Sequence, residues 1–298
     1  MKKKKGPLIL TGVLVILLIL YFGLSSWNKK QDKKEEKETV KVTDLDESTI
    51  TAIKYQVAAG EMSFEKDEDT WYYSEDKDFP LKQSEPEKIA KAAAQITADR
   101  KLEDGDSLDA YGLDDPNYSI EITEEDGTVT TVSFGDSTGT DYYVTVGDTG
   151  VVYTVASSVL DDFKTELSDL AQLDEYPSIG SGNLKKEVIT ENGTTTTYDS
   201  ENEDQEEEIA AVAGGLGAVS LTTVADYSVE DADLAGYGLD EASRITVEAA
   251  YTKDDDEKTR KRYIGSEDGS GNRYVMLDGS KIVYQISDEV CKNILNQE

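Results

Sequence analysis

The chain of 298 residues carries 63 acidic against 30 basic side chains, a formal net charge of -33, and it has no histidine. Such a field repels nucleic acid and acidic lipid, whose recognition rests on clustered Lys and Arg. Without histidine there are no His-based zinc sites, no Ser-His-Asp or Cys-His nucleophile systems and few proton shuttles for neutral pH. The length is that of about two domains, and the single cysteine, Cys291, excludes an internal disulfide.

In chain order, Lys2 to Lys5 precede an uncharged apolar run, Leu8 to Leu24 (LILTGVLVILLILYFGL). With its flanks, Gly6 to Trp27, it would reach about 30 Å as a helix, enough to span a bilayer. Tyr21, Phe22 and Trp27 continue it without a small-residue cleavage site, and no lipoprotein cysteine follows, so an uncleaved signal anchor is expected. Lys29, Lys30, Lys33, Lys34, Lys37 and Lys41 lie beyond the run, and a bare lysine count argues for the opposite orientation. The basic cluster abutting the run, and the indifference of large downstream domains to charge, place the bulk outside. Its alternative is a tail left in the cytoplasm.

The expected organisation is a cytoplasmic tail and transmembrane anchor over 1–27, a charged stalk over 28–41, a first unit over 42–172, a linker over 173–183 and a second unit over 184–298. In the first unit Ile50 to Val57, Met62 to Phe64 and Trp71 to Tyr73 read as strands. Ser84 and Glu87 have capping-box spacing, and Ile89, Ala92, Ala93 and Ile96 form a helical stripe. Four short strands follow between Tyr118 and Val155, and Ser157 or Ser158 caps a helix reaching Leu170. The fold class expected is α+β, each unit an antiparallel meander with one or two packed helices.

The sequence also repeats. LDAYGLDDPNYSIEI around Tyr111 matches LAGYGLDEASRITVE around Tyr237, after which Gly135 pairs with Gly265, Tyr143 with Tyr274, Tyr153 with Tyr284 and Val159 with Val290. Four aligned features in one order signal duplication. The second copy shows no counterpart of the Trp71 hairpin, and its acidic run Glu201 to Glu208 starts the equivalent helix.

The Lys-rich start, single apolar anchor, charged stalk, Trp71-Tyr72 hairpin, helix, Tyr111-Gly112-Leu113-Asp114-Asp115-Pro116 motif and Gly135-Asp136 to Tyr143 loop together resemble the family catalogued as domain of unknown function 4340. The resemblance implies an envelope protein tethered to a bacterial membrane, in some members beside ABC-type exporters of the gliding-motility kind, and it implies no enzyme. In the second copy Glu241-Ala242 replaces the Asp-Pro step.

Chemical patterns are present but incomplete. Gly135-Asp136-Ser137-Thr138-Gly139 fits a nucleophile elbow but lies between strands, with no histidine to activate Ser137. Ser74 to Lys77 fits S-x-x-K, and Ser181-Gly182-Asn183 echoes S-D-N, without a K-T-G element. Carboxylate pairs are the one acid/base system open to such a chain, and 63 acidic residues single out none. Calcium would find oxygens at Asp104-Gly105-Asp106 with Asp109, at Asp254 to Asp256, or at Glu267-Asp268 with Asn272, none with EF-hand spacing. Gly214-Gly215-Leu216-Gly217 follows an acidic helix and ends it, so it is no dinucleotide loop.

No catalytic, cofactor-binding or metal residue is therefore assigned, and no cofactor. The expected function is a non-catalytic, membrane-anchored extracytoplasmic protein, an accessory or interaction subunit of an ABC-type transport or envelope system with integral-membrane partners. The alternatives are a binding module for wall polymer, glycan or calcium, and a carboxylate hydrolase with two converging acids of split pKa.

Overall fold

In a computed structural model the structure describes residues 40–58, 60–103 and 105–297. The chain divides into two compact units, one made of the described residues up to Met62 with Lys88–Lys164, the other of Ser63–Glu87 with Thr165–Glu298. The strands are β1 Val40–Lys41, β2 Ile50–Val57, β3 Gly60–Asp67, β4 Thr70–Tyr73, β5 Thr97–Ala98, β6 Arg100–Lys101, β7 Tyr118–Glu124, β8 Val129–Ser137, β9 Asp141–Val146 and β10 Tyr153–Ala156. They continue as β11 Leu184–Glu191, β12 Thr194–Asp199, β13 Val224–Asp226, β14 Ile245–Lys253, β15 Asp256–Glu267, β16 Asn272–Leu277 and β17 Val283–Ser287. The helices are α1 Ser84–Ala94, α2 Glu206–Gly217 and α3 Asp288–Ile294.

This corrects the α+β expectation. The described chain is mostly antiparallel sheet, in three sheets of two, eight and seven strands, with few helices. The helix expected from Ser157 to Leu170 is two 3-10 segments, Ser157–Phe163 and Leu167–Leu170, and neither is capped by a side chain. Leu160 and Phe163, three apart, eclipse in 3-10 geometry and are both buried. No helix among the described residues is long and apolar enough to cross a membrane. The expected anchor, Lys2–Lys5 with Leu8–Leu24, and the stalk up to residue 39 lie outside the described residues.

The eight-stranded sheet runs β4-β3-β2-β7-β8-β9-β10-β6 and the seven-stranded one β12-β11-β14-β15-β16-β17-β13. In each, a four-strand meander is flanked on one side by a strand from an earlier hairpin and on the other by a short strand. The second sheet has no strand where β4 carries Trp71 in the first, and it leads with the hairpin β11–β12, at the place of β2–β3. Asn192 and Gly193, with φ of 50° and 77°, make its turn, the Asn-Gly pattern whose left-handed pair matches strand twist.

Strand alternation builds the cores. Ile120, Ile122, Val132, Phe134, Val144 and Val155 are buried along β7 to β10. In the second unit Ile209, Val212, Ala213 and Leu216 fall at i, i+3, i+4 and i+7 on α2 and join Val247, Leu277, Tyr284, Cys291 and Ile294 in one cluster. A Cβ on Gly215 would stand 2.5 Å from the Ile294 nitrogen, so this glycine lets α2 and α3 touch. A smaller cluster of Val229, Leu239, Tyr263, Met276 and Val283 completes that unit.

Candidate functional site

The repeated Tyr-Gly-Leu-Asp motif folds the same way twice. Leu108–Tyr111 and Leu234–Tyr237 are single 3-10 turns, ended by Gly112 at φ 68° and Gly238 at φ 66°, left-handed conformations that glycine adopts without strain. The amides of Leu113 and Leu239 return to the carbonyls of Leu108 and Leu234 at 3.0 and 2.9 Å, and both leucines are buried. Each turn presses on a meander glycine: a Cβ at Gly135 would lie 2.2 Å from the Tyr111 carbonyl oxygen, and one at Gly265 2.2 Å from that of Tyr237. Both sheets break register at this point, between Phe134 and Ser137 and between Ile264 and Glu267.

Paired rings finish the arrangement, Tyr111 with Tyr143 at 4.7 Å and Tyr237 with Tyr274 at 5.0 Å between centroids. The Tyr111 hydroxyl accepts from the Asp106 amide at 2.9 Å, whereas the Tyr237 hydroxyl donates to Asp226 Oδ2 at 3.0 Å. Burial, with that carboxylate, raises the Tyr237 pKa. These hydroxyls are engaged by the fold, so the motif acts as a clasp between loop and sheet.

The other sequence candidates do not converge. Ser137 ends β8 exposed, its Oγ accepting from the Gly139 amide at 3.0 Å. Ser74 Oγ is buried without a partner among the described residues, and exposed Lys77 meets Glu65 at 3.5 Å. Asn183 holds a turn, accepting from the Gly180 amide and donating to the Ser178 and Thr252 carbonyls. Asp254 and Asp255, φ 55° and 65°, are the β14–β15 turn. Asp268 accepts from Asn272 Nδ2, from the Ser270 and Asn272 amides and from Gln285 Nε2, and the bonds from Asn272 and Ser270 hold its carboxyl below the usual range. Asp104 lies outside the described residues. Among those residues no three His, Cys, Asp or Glu side chains gather as for a metal ion.

What sequence reasoning missed is a buried polar cluster in the second unit. Glu187 on β11 is 0% exposed and Arg262 on β15 is 1% exposed. In register, Ile189, Val247 and Arg262 stand in one row across β11, β14 and β15, and Glu187, Ala249 and Arg260 in the next, so paired residues share a face. Arg262 Nη1 donates to the Tyr176 hydroxyl, and its guanidinium stands 5.1 Å from the centre of that ring. Both Glu187 oxygens, Arg262 Nε and Nη2, and Arg260 Nε are buried without hydrogen-bond partners among the described residues. Burial pushes the Glu187 carboxyl up to about 8 against the pull of Arg262, and it raises the Tyr176 phenol too. The only legible signal was an unalternating charge, Lys185-Lys186-Glu187, at the start of a strand.

Residues 71–218 match the family described as Domain of unknown function (DUF4340). The chain resembles that family. The DUF4340 match runs from β4 through α2 and takes in α1, the first clasp, Gly135, Tyr143 and Glu187, while Arg262 and the second clasp lie beyond it. No curated protein and no solved structure matches the chain.

Beside the β11–β12 hairpin lies a cleft of about 300 Å³, lined by Thr194, Thr196, Tyr198, Asn192 and Gln297 among others. Its hydroxyls, amides and one tyrosine ring, together with the Glu191 carboxylate, suit a hydroxyl-bearing ligand without negative charge. Glu187, fully enclosed, touches no such ligand.

Proposed function

We propose that the protein is a non-catalytic, membrane-anchored extracytoplasmic subunit, an accessory or interaction partner in an ABC-type transport or envelope system. The observation that carries the reading is the Lys2–Lys5 cluster directly followed by the apolar run Leu8–Leu24, ahead of a strongly acidic remainder. DUF4340 resemblance supports it through the envelope role it implies. Non-catalytic character is supported by Glu187: among the described residues, the carboxyl whose pKa is driven into the neutral range is sealed from substrate.

The test compares the full-length protein in membranes with a soluble fragment from Val40 onward, each crosslinked and purified. Copurification of an integral-membrane permease with the full-length form alone is the expected result. Recovery of the full-length chain in the soluble fraction, with no membrane partner, would overturn it.

A second reading, a binding module for wall polymer or glycan, is favoured by the cleft beside Tyr198. It predicts that soluble wall saccharides raise the melting temperature by mass action, and that Tyr198→Ala abolishes the shift.

A further inference from the structure

We propose that the outer edge of β12 is a strand-addition site for a protein partner: an extended segment pairs with the backbone of Thr195 and lays a Lys or Arg side chain toward Glu191 in the adjoining cleft. This goes beyond the proposed function and does not depend on it.

β12 is the outermost strand of its sheet. Gln205 Nε2 donates to the Thr197 carbonyl and Gln205 Oε1 accepts from the Asp199 amide, so the backbone polar groups of Thr197 and Asp199 point away from β11. Alternation along an antiparallel strand turns those of Thr195 the same way. The amide and carbonyl of Thr195 and the amide of Thr197 have no hydrogen-bond partner among the described residues. Thr194 to Thr197 are all exposed. Gln205 thus closes the edge at one end and the Asn192-Gly193 turn ends it at the other, leaving a short open stretch centred on Thr195.

Face and charge decide what suits that stretch. Thr194, Thr196 and Tyr198 stand opposite Glu191, Ile189 and Glu187 of β11 and share their face. On this face lies the cleft, closed on its other side by Leu295 and Gln297 after α3. A segment antiparallel to β12, with one residue opposite Thr195, puts its next residue opposite Thr194, in the row of Glu191. Strands two apart are about 9.5 Å from each other, so a long side chain is needed to reach the Glu191 carboxylate.

Glu191 is the one charged residue of the cleft lining. Lys186 is already paired with Asp199 at 2.8 Å, and Glu201, Glu203 and Asp204 are exposed just beyond the strand. A basic side chain complements this surrounding, and a second copy of the chain does not: it brings another net charge of -33, and its β12 edge offers threonines and no base. In strand addition the main-chain bonds supply affinity and the side-chain pocket supplies selectivity.

Fluorescence anisotropy of the full-length protein in detergent, at about 0.15 M salt to screen its general field, tests the site with a labelled, end-blocked Thr-Thr-Lys-Thr-Thr peptide. Saturable binding is expected, about tenfold tighter than for Thr-Thr-Glu-Thr-Thr, and lost when the nitrogen of the second threonine is methylated. Thr195→Pro removes the outward amide without touching a bond to β11, and is expected to weaken binding about tenfold. Glu191→Gln is expected to reduce the preference for Lys over Glu. Absence of saturable binding overturns the proposal. Equal binding by wild type and Thr195→Pro overturns it as well, since negative charge alone would then attract the peptide. If Thr195→Pro does not fold, equal binding of the methylated and unmethylated peptides overturns it in the same way. Chitotriose in place of the peptide tests the saccharide reading separately.

Discussion

The two large sheets share a strand order but differ in what they bury. Aligned on Gly135 and Gly265, the positions of Glu187 and Arg262 in the second sheet are those of Ile53 and Val132 in the first. Ile53 faces Ile122 as Glu187 faces Ala249, and Val132 faces Ile120 as Arg262 faces Val247. Ile53 is 1% and Val132 0% exposed. One architecture thus tolerates either an apolar pair or an ionisable pair at the same point, so the charges are not a requirement of the fold. What the sheets have in common, the clasp, is that requirement.

The sharpest way to break this comparison is at the clasp glycines. Gly135→Ala and Gly265→Ala each drive a methyl to 2.2 Å from a backbone carbonyl, and backbone cannot swing aside as a side chain does. Each is expected to cost about 3 kcal/mol or more in chemical unfolding. A tolerated alanine at either position would show that the two clasps are not equivalent.

The next test makes the second sheet resemble the first. Glu187→Ile combined with Arg262→Val removes both buried ionisable groups together, and such replacements are often neutral or stabilising by about 1–4 kcal/mol. Thermal unfolding at pH 8 is expected to show a gain. Arg262→Val alone leaves Glu187 without the charge that favours its ionised form, and is expected to destabilise.

Stability against pH separates the sheets further. Glu187 is raised from 4.5 to about 8 by burial, so between those values the unfolded chain has released a proton that the folded chain keeps. Its stabilising share is complete below about 4.5 and is lost as pH rises through about 8, with a slope of at most about 1.4 kcal/mol per pH unit. Glu187→Gln is expected to remove that component, matching wild type at pH 5 and exceeding it at pH 9 in urea unfolding. Parallel curves for the two proteins would mean that Glu187 titrates normally.

Much of this was legible in the sequence. The repeated Tyr-Gly-Leu-Asp and its distant glycine appear as letters, because a left-handed turn and a backbone contact each demand one residue type. The β11–β12 hairpin was equally written, in Asn192-Gly193, but its Thr-rich second strand lacks the apolar alternation that announces a half-buried strand. The helix expected after Ser157 failed because apolar spacing of three serves 3-10 and α geometry alike. The buried cluster left only the unalternating Lys185-Lys186-Glu187 as a trace: Glu187 and Arg262 look like surface charges until strand register puts them on the core face.

The smallest expected effect concerns how both sheets end. Gln83, immediately before α1, donates from Nε2 to the Trp71 carbonyl at 3.0 Å and accepts from the Trp71 amide at 2.8 Å. Gln205, immediately before α2, donates to the Thr197 carbonyl at 3.1 Å and accepts from the Asp199 amide at 3.2 Å. Trp71 lies on β4, and Thr197 and Asp199 on β12, the outermost strands of their sheets, so each glutamine amide stands where a further strand would pair. Open edges of this kind recruit other chains, and a side-chain amide satisfies the same donor and acceptor without offering a new edge. Gln83→Ala and Gln205→Ala should each cost about 0.5–1.5 kcal/mol. The Gln205 variant should also self-associate more, because β12 presents uncharged threonines from Thr194 to Thr197, whereas β4 carries bulky aromatic side chains. Light scattering at rising concentration reads the difference, and equal association of the two variants would show that the amides do not guard the edges.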